Sequence, residues 1–329
     1  GDINISGNSG KCSVTITATT YGIYNNSSGN INILDNSSKS NISITASTGI
    51  YNKLEEGIVS IDDATINVTS RGIDIQSGTL LMTGGNINTS GSAKGIYCTT
   101  GNVTISADIQ FEDYQSDHTT AIYNENGTVV INSGAYLEGS YYGIYNESGN
   151  VTINGGSIQN YYYNTSTPLS AIYNDSGTIQ INNVTIYAYG YGIYNDSGTV
   201  NILKGKINGC RRNAIQNYGS LTIGNKSGQY TANEVTIESH YSYGLYTTQE
   251  VDIYTGVIIR GTNSTPYSSS RVNFPSGYTA STKQGIADCI WNDTGHDGMS
   301  IYETTLSPIV STTALMAFPL EVLSLFSNT

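Results

Sequence analysis

The sequence predicts an all-β chain wound as a parallel β-helix, a solenoid with three faces. One short unit recurs. It is clearest at residues 143–158 as Gly-Ile-Tyr-Asn-Glu-Ser-Gly-Asn-Val-Thr-Ile-Asn-Gly-Gly-Ser-Ile, and it returns at 171–186 and 192–207. Within each unit, apolar and polar residues alternate in three brief runs, which is the period of a half-buried strand and excludes a helix. Gly, Asn and Ser separate the runs and turn the chain.

Taken in order, residues 1–20 hold the pairs Ile3/Ile5 and Val14/Ile16, which match the second and third runs of the unit, so the chain is expected to open partway through a turn. The anchor of the first run then recurs at Ile23, Ile50, Ile73, Ile96, Ile122, Ile144, Ile172, Ile193, Ile215 and Leu245. Its intervals of about 21 to 30 residues lie in the range of solenoid repeats. Second-run pairs follow each anchor from Ile31/Ile33 to Val251/Ile253, with Leu80/Met82 the least regular, and third runs extend from Ile42/Ile44 to Val257/Ile259. Runs this short bury nothing alone. They require about ten turns stacked on one another, like strand beside like strand at about 4.8 Å, in a rod about 50 Å long. Length variation is expected in the third corner, as at residues 161–168.

The period spans residues 1–260. Residues 261–329 read as a non-repetitive, irregular C-terminal cap or assembly segment. The stretch 309–326 is apolar but interrupted by Thr312, Thr313, Pro319 and Glu321, which suits a cap better than a membrane anchor.

Alternation also sorts the residues around each anchor. Outward positions form a column of Tyr24, Tyr51, Tyr97, Tyr123, Tyr145, Tyr173, Tyr194 and Tyr246, interrupted by Asp74 and Gln216. Its flat rings with polar tips suit stacking either on sugars or another protein, as a binding face, or on each other. Inward corner positions form a second column, Asn25, Asn52, Asn124, Asn146, Asn174, Asn195 and Asn217, interrupted by Ile75 and Cys98. An asparagine column can bond to itself and satisfy turn carbonyls, which is a structural role.

Composition narrows the function. Net charge is −12, and only 13 Lys and Arg are scattered along 329 residues, which disfavours nucleic acid and anionic membranes. Charged residues make up 12%, so Ser, Thr, Asn and 27 Tyr supply the polar surface, as suits an extracellular setting. No run of apolar residues is long enough to span a membrane. Cys12, Cys98, Cys210 and Cys289 lack metal-site spacing and read as isolated buried thiols. Asp62 with Asp63, the group Asp113, Asp117 and His118, and Arg211 with Arg212 read as solvated loop charges, and His240 as isolated. Residues 291–298, with Trp291 and His296, carry no complete metal or sugar site, so neither a metal nor a cofactor is expected. Asn-x-Ser/Thr sites such as Asn67, Asn126, Asn146 and Asn292 fit glycosylation.

Over residues 1–260, the Gly-Ile-Tyr-Asn, Ser-Gly-Asn-Val-Thr-Ile and Asn-Gly-Gly-Ser-Ile words resemble the right-handed parallel β-helix repeat proteins of bacterial and archaeal surfaces, often called adhesin-like. The resemblance implies a right-handed coil on a cell surface. The expected function is a non-enzymatic, extracellular structural or adhesive solenoid. Its partners would be further copies of itself joined end to end into fibres, glycans, or a host or neighbouring cell surface. The alternative is a polysaccharide lyase or glycoside hydrolase of the same fold.

Overall fold

The computed structural model describes residues 1–7, 13–35, 41–111, 118–162, 167–209, 211–225, 234–254, 257–261, 267–268, 272–273, 278–286 and 300–308. Cys12, Cys210, Cys289, Asp113, Asp117, Trp291, Asn292, His296 and the apolar stretch 309–326 lie outside them.

Strands alone make up the regular structure of the described residues. The second runs form a 12-stranded parallel sheet that begins with Ile3–Gly7 and ends with Val272–Asn273. At about 4.8 Å per strand, the stack is about 50 Å long. Register is like on like. On the anchor face Ile96, Ile122, Ile144, Ile172 and Ile193 are successive partners. On the third face the sequence is Ile158, Ile186, Ile207, Ile237 and Ile259. These side chains are 0 to 2% exposed and fill the axis of the coil with stacked branched aliphatics. A one-residue slip would turn every one of them outward, so burial fixes the register.

Anchor and third strands belong to one 22-stranded sheet, because Asn41–Asn52 and Thr65–Ile75 each run unbroken from the third face onto the anchor face. Their corner residues, Ala46 with Ser47 and Thr69 with Ser70, include no glycine. The bend is taken up by a register shift between Ala46 and Thr48, as a bulge allows. Chain length is not varied at the third corner alone: besides residues 161–169, the link between Ser220–Ile223 and Val235–Ser239 is longer, in number of residues, than that between Thr199–Ile202 and Gly205–Gly209 one turn before. Past residue 260, Tyr267–Ser268 and Val272–Asn273 add parallel strands to the anchor and second faces. Tyr278–Ile286 then pairs antiparallel with Ser300–Pro308, which itself lies antiparallel to Val257–Gly261.

One glycine shows why the corner words are spelled as they are. A Cβ on Gly177 would collide with the Asn146 side-chain amide and the Gly149 carbonyl of the turn below. The Gly of Asp-Ser-Gly therefore lets the asparagine column close.

Candidate functional site

The corner between the anchor and second faces concentrates the repeated polar residues. Asn124 donates to Asn146 Oδ1, Asn146 to Asn174 and Asn174 to Asn195, each at 2.8 Å. Asn195 donates to Asn217 at 2.7 Å, and Asn217 ends the series on Thr247 Oγ1 at 3.0 Å. The same amide nitrogens also donate to Gly127, Gly149, Gly177 and Gly198 carbonyls within their own turns. Both amide hydrogens are thus used, which is what full burial demands. Asn25 donates to Asn52 at 2.8 Å in a separate short series. Between the two, Ile75 and Cys98 occupy the column. Cys98 Sγ points to Gly101 O at 3.4 Å, and burial pushes its thiol up to about 11. Asn146 is fully buried, so of the sites with a glycosylation sequence it is closed in the folded protein, whereas Asn126 is exposed.

The tyrosine column is a stack of parallel rings. Tyr24 lies on Tyr51 at 5.0 Å. Tyr97, Tyr123, Tyr145, Tyr173 and Tyr194 follow one another at 4.9 to 5.1 Å with interplanar angles of 3° to 6°. Other planar groups fill both interruptions. At Asp74, the Arg71 guanidinium binds the carboxylate and lies 3.8 Å from the Tyr97 centroid. At Gln216, the ring of Tyr218 enters between Tyr194 and Tyr246 at 5.8 and 6.4 Å, and its hydroxyl accepts from Gln216 Nε2 at 2.6 Å. Ring faces are therefore turned on each other, and from Tyr51 onward the column is half-buried, leaving edges and hydroxyls to solvent.

Beside the rings, the residue after each ladder asparagine is acidic in four consecutive turns: Glu125, Glu147, Asp175 and Asp196. Tyr97 Oη donates to Glu125 at 3.0 Å and Tyr123 Oη to Glu147 at 2.8 Å. Burial, followed by the bond to Glu147, raises the Tyr123 phenol; burial also raises Tyr173 and Tyr194. Partial burial and the neighbouring Asp196 and Glu147 raise the Asp175 carboxyl.

Several loop charges are not simply solvated. The Arg211 guanidinium lies 5.0 Å from the Tyr189 ring and 5.7 Å from the Tyr241 ring, and Arg212 lies 5.6 Å from Tyr191. His118 packs on Tyr141 at 4.3 Å. His240 is not isolated: it is 3% exposed, with Nε2 3.7 Å from Glu238, which also accepts from Arg260 at 3.3 Å. Asp62 stays at the surface, accepting from Thr83 at 3.2 Å. The carboxylates Glu138 and Glu238 and the amide of Asn208, all buried, escaped notice in the sequence. They occupy outward positions of third strands; Tyr136, the outward residue two positions before Glu138 on the same strand, donates to it at 3.1 Å. Among the described residues, no group of three or more His, Cys, Asp or Glu is placed to hold a metal. Comparison of the chain with protein-family models, with curated proteins and with solved structures finds no match.

Proposed function

We propose that this chain is a non-enzymatic structural or adhesive rod that works outside the cell or on its surface. The observation that carries the reading is the buried amide series from Asn124 to Thr247. Turn after turn, the same corner residue serves axial contact, and the tyrosine stack beside it does the same. Such columns make a stiff spacer. The low share of charged residues and the likeness of the repeat to adhesin-like β-helix proteins of bacterial and archaeal surfaces support an extracellular role. Glycans or a neighbouring surface are the partners that fit the hydroxyl-rich exterior.

Self-association is part of the proposal. Successive turns meet like residue on like residue, so every turn presents to the next the pattern that it receives from the one before. A second copy stacked in the same register would continue the sheets into a head-to-tail fibre. Electron microscopy of the purified chain, run beside glycan-array binding, tests both halves. Fibres support assembly, whereas monodisperse short rods at high concentration count against it. Release of reducing ends or unsaturated products from acidic polysaccharides would replace the reading with that of a carbohydrate-cleaving enzyme.

A further inference from the structure

Tyr97, Tyr123, Tyr145, Tyr173 and Tyr194 stand one above another, with ring centroids 4.9 to 5.1 Å apart and planes within 6° of parallel. Stacking would stiffen the rod equally well with Phe, so it accounts neither for the hydroxyls nor for what lies beside them. Over the same stretch a second column is acidic: Glu125, Glu147, Asp175 and Asp196. Hydrogen bonds link the two columns from turn to turn. Tyr97 Oη donates to Glu125 at 3.0 Å and Tyr123 Oη to Glu147 at 2.8 Å, each carboxylate belonging to the turn above. Farther up, burial first, then Asp175 for Tyr145 and Asp196 for Tyr173, raises those two phenols.

Phenols held in this way stay protonated at neutral pH, so they lose an electron together with the proton. An oxidised phenol is a strong acid, and its proton goes to a base within hydrogen-bond reach. For Tyr97 and Tyr123 that base is already in place. Cys98, the oxidisable residue next to Tyr97 in the chain, is fully buried on the opposite, core side of the sheet.

We propose that the column carries one-electron oxidising equivalents along the rod, each step moving an electron between neighbouring phenols and a proton between phenol and carboxylate. A one-electron oxidant, such as an oxidised metal complex or a radical derived from peroxide, takes an electron from Tyr97 while the phenolic proton crosses to Glu125, leaving a neutral phenoxyl radical. Tyr123 then gives an electron to that radical, Glu125 returns the proton to Tyr97, and the Tyr123 proton passes to Glu147. The oxidant has been reduced, Tyr97 is restored, and the radical stands one turn higher. Beyond Tyr194 the path continues through Tyr218 to Tyr246, at 5.8 and 6.4 Å. In the other direction it stops, because Arg71 and Asp74, which such oxidants leave untouched, separate Tyr97 from Tyr51. This activity goes beyond the adhesive reading and does not depend on it.

The test tethers a ruthenium polypyridyl photo-oxidant to the full chain through Thr100→Cys, an exposed position three residues past Tyr97, with Cys12, Cys210 and Cys289 changed to Ser. Tyr194 is replaced by ortho-aminotyrosine, which is more easily oxidised than tyrosine and traps the radical. After a laser flash with a sacrificial electron acceptor, transient absorption and electron paramagnetic resonance read the trapped radical. It should form in this chain, and Tyr145→Phe, which keeps the ring but resists oxidation, should lower its yield about tenfold while the melting temperature holds. Tyr173→Phe should do the same, and it decides the matter if the first variant fails to fold. Glu147→Gln should slow arrival about tenfold. No trapped radical in the parent, or an equal yield in the Phe variants, overturns the path; an unchanged arrival rate in Glu147→Gln overturns the carboxylate's part in it.

Discussion

Asn146 donates its side-chain amide to Asn174 Oδ1 at 2.8 Å, across one full turn of the coil, and both residues are completely buried. Removing the carboxamide at position 174 strands the donor of Asn146 below and the acceptor of Asn195 above. Asn174→Ala should cost about 1 to 3 kcal/mol for each group left unpaired. Urea unfolding measures it, with Asn25→Ala at the end of the short series as the milder comparison. Equal, negligible losses in the two would mean the series does not hold the rod together.

Tyr145 touches Tyr123 and Tyr173 in parallel stacks, both at 4.9 Å. Each such contact is worth about 0.5 to 1.5 kcal/mol beyond simple burial. Changing Tyr123, Tyr145 and Tyr173 together to Ala should therefore lower the melting temperature substantially, whereas the triple Phe variant keeps the rings and most of the stability. Should the alanine variant melt within a few degrees of the parent yet lose glycan binding, the column would be a recognition face after all.

At Cys98 the amide series has a gap next to Asn124, and the thiol occupies the place against Gly127 that an asparagine takes against Gly149 one turn on. Cys98→Asn supplies the missing donor to Asn124 and should stabilise the fold by about 0.5 to 1.5 kcal/mol. Thermal unfolding under reducing conditions reads the gain; a loss would show that the corner has no room for the longer side chain.

Asp175 has its carboxyl raised by partial burial and by Asp196 and Glu147. A carboxyl raised in the folded state binds its proton there at a pH where the unfolded chain has already lost it. Stability from this group consequently grows as pH falls from the folded value toward the unfolded one and declines as pH rises. Asp175→Asn should raise the melting temperature at neutral pH, and the advantage should shrink in acid. An advantage independent of pH would place its origin elsewhere.

The coil was legible because its determinants are local. Alternation of side chains makes Ile144 and Ile172 face inward, and burial leaves them no register but partnership. The asparagine column was equally legible, since a polar residue at an inward corner has only its counterparts to bond. What escaped was nonlocal. Nothing in Thr45 to Thr48 announces that the strand continues around a corner. Arg71 and Tyr218 repair the tyrosine column from neighbouring positions, a compensation visible only once the rings are placed. His240 read as isolated, and Glu238 and Asn208 drew no notice. All three are buried by tertiary packing, which strand alternation does not encode.

Like-on-like register also makes the length of this molecule adjustable. Excising residues 144–171, a module equal to the 28-residue offset between Asn146 and Asn174, would set Ile122 under Ile172, Tyr123 under Tyr173 and Asn124 under Asn174. The new neighbours meet as the old ones did, so duplication or loss of a module can tune reach without reinventing a single contact.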